Sequence, residues 1–373
     1  MDFDFNKLER DLLSKIEEII KDESLPNPDI SRHAKPNEIA LVLRAWLERL
    51  GNSGFLAEPA GPGRLAAQLE LAHRSPWLAL ASDIGSHVLC DLISRHGSDE
   101  QKKAFLEPIL KGKKIAAVAA SETLSGSVQK TMNTIAVKNS GGFLLTGAKS
   151  TVSLGPMADI IGVLGQIKEG MALFLVDRGQ PGVEAGDPLE TLGYRELCTC
   201  PIALHDVIIE PERIIGPFDS SKVDLLQELR TAWDQVMGAV ACGTMRLCLD
   251  QARAAADVKR THGKPPAGYQ SVRFSLAEML TLSQTAEILV LRAAWAAASG
   301  DPQAASLGLC AKVFATKNAC EVADKALQIM ASAGYTKPNP VERALRDARL
   351  GTIMGNTSEV AQMAIADNVL ERF

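Results

Sequence analysis

PVERALRDARLGTIMGNTSEVAQMAIADN, residues 340–368, is the stretch on which the reading of this chain turns. A helical pattern runs through Arg343-Ala-Leu-Arg-Asp-Ala-Arg349, breaks at Met354-Gly355-Asn356-Thr357, and resumes in a last helix opened by Ser358-Glu359. Upstream lie three further long helical patterns over 225–260, 269–299 and 302–333, separated by polar or Gly/Pro breaks. Between Ala116 and Pro217 the period changes to short β-type runs at 142–146, 160–164, 172–176 and 201–204. From 5 to 112 the chain reads helix after helix, with turn signals at Pro26-Asn-Pro28, Gly51-Asn-Ser-Gly54 and Pro59-Ala-Gly-Pro-Gly63. Helices, then strands, then helices predict the α+β class: an N-terminal helical domain over 1–115, a small β-sheet or barrel domain over 116–220, and a C-terminal four-helix bundle over 221–373.

Composition narrows the function classes. A chain of 373 residues, 46% hydrophobic and 23% charged, can bury a large core. A formal net charge of -5 and no Lys/Arg-rich block argue against a nucleic-acid partner, which needs cations to neutralise phosphates. The acidic start Met1-Asp2-Phe3-Asp4 has no apolar run behind it, so no signal or transit peptide is expected, and no segment approaches the roughly 20 unbroken apolar residues that insert in a bilayer. Seven Cys, at 90, 198, 200, 242, 248, 310 and 320, are odd in number and lack metal spacing, which fits reduced thiols in a cytoplasm and no metal site. Cys198-Thr-Cys200 has no second Cys/His pair near it, so a strand with two thiols on one face is expected there.

The quoted stretch, with Gln328, Ile329 and Gly334-Tyr335 before it, resembles the C-terminal signature of the acyl-CoA dehydrogenase family, where an "RDAR" helix leads through a turn into "GTSE". The order of helical, β and helical zones is that family's order too. Val118-Ala-Ala-Ser-Glu-Thr-Leu-Ser-Gly-Ser127 is similar to its "T-E-P-x-x-G-S-D" segment: Ser121, Glu122, Gly126 and Ser127 match, while Thr123 replaces Pro and Val128 replaces Asp. A Ser/Gly-rich turn after a strand is common by itself. In the family this segment runs along the flavin, so the resemblance implies FAD contacts at Val118, Ala120, Ser121 and Ser127. Leu145-Thr-Gly-Ala-Lys149 through Ala158-Asp159 resembles "L-x-G-x-K-x-W-I-T-x-x-x-x-A-D", which puts Thr151 where a flavin-flanking Trp stands and Ser153 where a Thr bonds near N5.

Thr191-Leu-Gly-Tyr-Arg195 and Asp206–Gly216 resemble linking segments that read as scaffold. Lys259-Arg-Thr-His-Gly-Lys264 with Gln270 and Leu276-Ala-Glu-Met279 resembles "RxxFGxPxxxxQxxxxxLAxM". The resemblance therefore implies dinucleotide contacts at Lys259, His262 and Gln270, commonly across a subunit boundary, and at Gln328, Thr357 and Glu359. Lys259 keeps a charge for phosphate but not the planar fork of Arg. A homodimer or homotetramer is expected on the same ground.

Dehydrogenation of an acyl thioester needs a base for the α proton, a hydride acceptor, and donors that polarise the carbonyl. In the family's best-known branch the turn carries a Glu base. Here Gly355 stands in that place, leaving only its backbone N–H, which in the family is one of two donors to the carbonyl. In other branches the Glu comes from the helix corresponding to 225–260; registering Gly243 and Leu249-Asp250 puts Trp233 at that position and Asp234 beside it. Asp234 is the candidate base, although one residue along a helix turns a side chain by about 100°. Its bland reading is an ion pair with Arg230 one turn earlier. Asp91, near His96-Gly97-Ser98-Asp99-Glu100-Gln101, is a second acid, more often solvated in that place.

The leading expectation is an FAD-dependent acyl-thioester dehydrogenase-like oxidoreductase acting on acyl-CoA or on an acyl group held by a carrier protein. Ala331-Ser332 in place of the family's Gly-Gly is similar to branches in polyketide and nonribosomal peptide biosynthesis, which favours the carrier protein; a change in helix packing explains it equally. A flavin monooxygenase of the same fold needs no base and is the alternative. A flavin-free, non-catalytic paralogue that binds an acyl carrier is the third reading. The electron acceptor is not specified by the sequence.

Overall fold

The computed structural model describes residues 5–31, 33–123, 132–218, 223–258 and 263–370. Lys7–Ile20 (α1), Pro36–Ser53 (α2), Pro62–Arg74 (α3), Pro76–Asp83 (α4), Cys90–His96 (α5), Asp99–Gln101 (α6) and Glu107–Leu110 (α7) come first, with π-helical turns at Ile84–Leu89 and Lys102–Leu106. Proline opens several of these helices because the first helical position needs no N–H and accepts its fixed φ. The strands follow: Ala116–Ala119 (β1), Ile135–Asn139 (β2), Gly142–Val152 (β3), Ile160–Ile167 (β4), Gly170–Asp177 (β5), Val183–Ala185 (β6), Cys200–Ile209 (β7) and Ile214–Phe218 (β8). The helices Leu225–Asp257 (α8), Gln270–Ala298 (α9), Ala304–Met330 (α10), Ser332–Tyr335 (α11), Pro340–Gly351 (α12) and Ser358–Leu370 (α13) close the chain. This is the helical, sheet, helical α+β arrangement read from the sequence.

The chain divides into two compact units, one of Met1–Ile20, Pro59–Leu80 and Trp233–Phe373, the other of Lys21–Glu58 and Ala81–Ala232. The second holds the sheet, ordered β6-β7-β3-β2-β4-β5-β8, with β1 paired in parallel to β4. β4 is buried along nearly its whole length, which is why its sequence is a continuous apolar run and not an alternating one. Arg44 of α2 grips Asp159 with two bonds of 2.9 Å, and the same carboxylate accepts the Ile115 N–H at 2.8 Å, so one acid fixes α2 to the entry of β1. Gln101 likewise donates to the carbonyls of Glu212 and Ile214, tying α6 to the start of β8.

One local expectation is corrected. Cys200 opens β7, but Cys198 ends a short 3-10 turn, Arg195–Leu197, at φ 44° and outside any strand. The chain must turn there to bring the Leu197 carbonyl within 2.7 Å of the Leu154 N–H. Burial pushes both thiols up to about 11, which leaves them protonated and inert.

In the first unit the core is built from α3, α8, α9, α10 and α12, with Leu69, Met245, Met279, Val322 and Val341 at its centre. Gly243 lets α8 lie against α3: a Cβ there would come 2.5 Å from the Leu69 carbonyl oxygen. Among the described residues one helix, α9, is long and apolar enough by length and composition to cross a membrane, yet only 22% of that window is buried. Glu278, Glu287 and Arg292 interrupt it, and Met279, Ala286 and Val290 pack inward. At the end of α10, Ala331 has φ 54° and ψ -131°, a conformation that glycine adopts far more readily than alanine. Ala331→Gly is therefore expected to stabilise the protein by about 1 kcal/mol, measured as a raised denaturation midpoint in urea; an unchanged or lowered midpoint would contradict this strain.

Candidate functional site

Two groups of residues carry chemistry, one in each unit. In the sheet unit, Val118 lies in β1 and Ala120 and Ser121 follow it directly. The Ser150 N–H donates to the Ser121 carbonyl at 2.9 Å, so the end of β3 runs beside 118–121. The two motifs that look unrelated in sequence thus share one edge. Ser121 and Thr151 are exposed on it, while Ser153 is buried with its Oγ 3.1 Å from Thr199 Oγ1. Thr199 was missed by sequence reasoning because Cys198-Thr-Cys200 drew notice for its thiols. Leu154, Tyr194 and Cys198 are buried non-glycine residues at φ 63°, 49° and 44°, so strained backbone flanks this hydroxyl pair on both chain segments. Ser127 lies outside the described residues.

Beneath the edge sits a buried ion pair. Lys149 Nζ donates to Glu122 Oε1 at 2.8 Å, and the same carboxylate accepts from Thr134 Oγ1, the Thr134 N–H and the Asn133 N–H at 2.6, 3.0 and 2.7 Å. Burial alone would raise the Glu122 pKa, but Lys149 and the Thr134 and Asn133 donors outweigh it and bring it down to about 2. Lys149 is lowered, since burial disfavours its charge more than Glu122 restores it. The pair locks 118–122 onto β3.

In the helical unit, Asp234 is buried on α8, an unbroken α-helix. Its two oxygens accept from the Asn356 N–H at 2.9 Å and from Asn356 Nδ2 at 2.5 Å. The ammonium of Lys312, on α10 and buried, donates to the Asn356 carbonyl. Burial lowers the Lys312 pKa, with Asp234 and Glu359 opposing. Gly355, at φ 70°, precedes this clamp, and its N–H meets no acceptor among the described residues. Thr357 Oγ1 accepts from the Val360 N–H at 3.3 Å and so caps α13, whereas Glu359 is exposed. Gln270 and Gln328 are exposed on α9 and α10, Trp233 is buried, and Lys259 and His262 lie outside the described residues. Lys312 was missed; its one signal was a lone charge inside Leu307-Gly-Leu-Cys-Ala-Lys-Val-Phe-Ala315.

Asp91, expected from the sequence to be solvated, pairs with Arg95 at 2.9 Å across one helical turn. The buried acid of that region is instead Asp83, which with Ser82, Ser86 and His87 lies in or beside the π-helical turn. A groove of about 700 Å³ between α9, α10 and α13 is lined by Leu289, Cys310, Phe314 and Ile365 among others.

Removing one partner of the buried pair should show its weight. Lys149→Met leaves Glu122 buried without its cation and is expected to lower unfolding free energy by about 3–5 kcal/mol in urea titrations. Because the Glu122 pKa falls from 4.5 to about 2 on folding, its contribution is fully present above pH 4.5 and is lost as pH drops toward 2. It amounts to roughly 3 kcal/mol, so Glu122→Gln should flatten the acid limb of stability against pH; an unaltered limb would refute the assignment.

The family model described as the acyl-CoA dehydrogenase middle domain matches residues 117–207, and that for the acyl-CoA dehydrogenase C-terminal domain matches 235–370. The 3-(aryl)acrylate reductase of Clostridium sporogenes is 32% identical over 280 residues, covering 74% of this chain and 74% of its own. Benzylmalonyl-CoA dehydrogenase of Aromatoleum aromaticum is 28% identical over 381 residues, 99% of this chain and 100% of that one. The solved butyryl-CoA dehydrogenase of Megasphaera elsdenii superposes with a TM-score of 0.88 at 25% identity, covering 99% of this chain and 100% of that chain. With both motif regions inside the matched segments and the fold shared end to end, the chain belongs to the acyl-CoA dehydrogenase family of flavoprotein oxidoreductases.

Proposed function

We propose that the chain binds FAD and acts on the α,β carbon–carbon bond of an acyl thioester, carried by coenzyme A or by a carrier protein. The observation that carries this reading is the Gly355 N–H, left without an acceptor among the described residues on a turn whose next residue is clamped by two buried charges. A donor fixed in that way suits a carbonyl on which negative charge develops. The hydroxyls of Ser121, Thr151 and Ser153, with the main chain at Val118 and Ala120, form an uncharged hydrogen-bonding edge that suits the carbonyls and ring nitrogens of a flavin. When bound, FAD supplies the hydride chemistry at N5. The chain's own residues polarise the thioester and hold the ring edge; Gln270, Gln328, Thr357 and Glu359 are proposed for the rest of the dinucleotide, together with Ser127, Lys259 and His262. The aryl-substituted substrates named for two relatives make a 3-arylpropionyl or 3-arylacrylyl thioester the first class to test.

A specific observation favours a second reading. The turn bears no carboxylate, and both oxygens of Asp234 are engaged by Asn356. A monooxygenase of this fold, which needs no such base, is consistent with that. Both readings expect the absorption spectrum of oxidised FAD in the purified protein. The first expects anaerobic bleaching by 3-phenylpropionyl-CoA, butyryl-CoA or the matching carrier-bound thioesters; the second expects no bleaching but oxygen uptake once the flavin is reduced. A colourless protein that takes up no added FAD would sink both.

Self-association is proposed through α9. Phe274, Leu280, Ile288 and Trp295 are all about half exposed or more and fall on one side of the helix, an exposed apolar group on the one described helix long and apolar enough to pass for a membrane span. Light scattering should give the mass of a dimer or tetramer, reduced toward the monomer by Ile288→Glu with Trp295→Glu; a monomeric wild type would overturn this.

A further inference from the structure

We infer that Asp234 is a positioning residue, which together with Lys312 holds Asn356 so that the Gly355 N–H is presented in a fixed direction. The inference rests on the reading that Gly355 N–H meets a thioester carbonyl. Asn356 engages three of its polar groups at once: its N–H and its side-chain amide go to the two oxygens of Asp234, and its carbonyl receives Lys312. Asp234 therefore fixes the peptide plane between Gly355 and Asn356, and Lys312 fixes the next one. On the other side, the Met354 N–H donates to the Leu350 carbonyl at 2.9 Å, which anchors the turn to the end of α12. The peptide that carries the Gly355 N–H thus lies between two anchored peptides, and Gly355, at φ 70°, is the joint with the greater freedom and the greater need of such anchoring.

Charge balance gives the clamp its rigidity. Asp234 and Lys312 are at most 5% exposed and both bond the same neutral amide residue. A charge held away from water in this way keeps its polar partners, because losing them leaves it uncompensated. For Asp234 to take a proton from substrate, its carboxylate would have to release the residue whose place it sets. The geometry assigns it to holding the turn and not to proton transfer.

The test uses the FAD-loaded protein, with 3-phenylpropionyl-CoA as the probe and an artificial electron acceptor in excess. Asp234→Asn keeps shape and one acceptor, and Lys312→Arg keeps charge as the conservative counterpart of Lys312→Met. The expected result is a drop in kcat/KM of about tenfold to a hundredfold for Asp234→Asn and for Lys312→Met, with the pH profile unchanged in shape and partial recovery in Lys312→Arg. Amide hydrogen exchange across 352–358 should speed up in the same two variants. A loss of about 10³-fold or more in Asp234→Asn, with one limb of the pH profile gone and exchange unchanged, would make Asp234 the base and overturn the inference. If no thioester bleaches the wild type, the functional reading fails by itself; exchange then still decides whether Asp234 holds the turn, and unaltered exchange overturns it.

Discussion

A charge taken out of water must find a partner, and that constraint governs how both units place their functional segments. In the sheet unit, Lys149 and Glu122 neutralise each other beneath the strand edge that presents Ser121 and Thr151. In the helical unit, Asp234 and Lys312 do so through Asn356. Breaking either arrangement is expected to be costly, since it leaves a buried charge uncompensated. What each provides is a unique register: a shift of one residue in either segment would leave a charge buried alone. The segments proposed to face a ligand are thereby held by buried groups behind them.

The same constraint explains why the fold was legible in the sequence. Glu122 and Lys149, Asp159 and Gly243 all lie in stretches noticed for their resemblance, and each meets a geometric need: an ion pair, a bidentate grip on Arg44, a helix crossing. Helices α8 to α10 were legible from their period. β3 was read too short, as 142–146, because bulges after Leu145 and after Lys149 break the alternation on which a strand is recognised. Cys198 was placed in a strand because its left-handed conformation is imposed by Leu154, far away in sequence.

The candidate site was legible only as far as single segments reach. Registering one helix was enough to pick out Asp234, but its environment is set by a residue 122 positions away, and no local pattern reports that both its oxygens are occupied. Lys312 and Thr199 were hidden for the same reason: each matters through a partner on another element. The absence of a carboxylate at Gly355, by contrast, was visible at once, since it concerns one residue in one turn. Sequence thus located the unusual feature of this family member, and packing shows what stands around it.

The thiols have a practical consequence. Cys90, Cys198, Cys200, Cys242 and Cys248 are buried, so alkylating reagents will find them slow, whereas Cys310 and Cys320 are only partly covered. Cys310 borders the groove between α9, α10 and α13. A fluorophore attached there would sit beside α9, the helix proposed to meet another copy of the chain, and would report such an approach without any substitution being introduced.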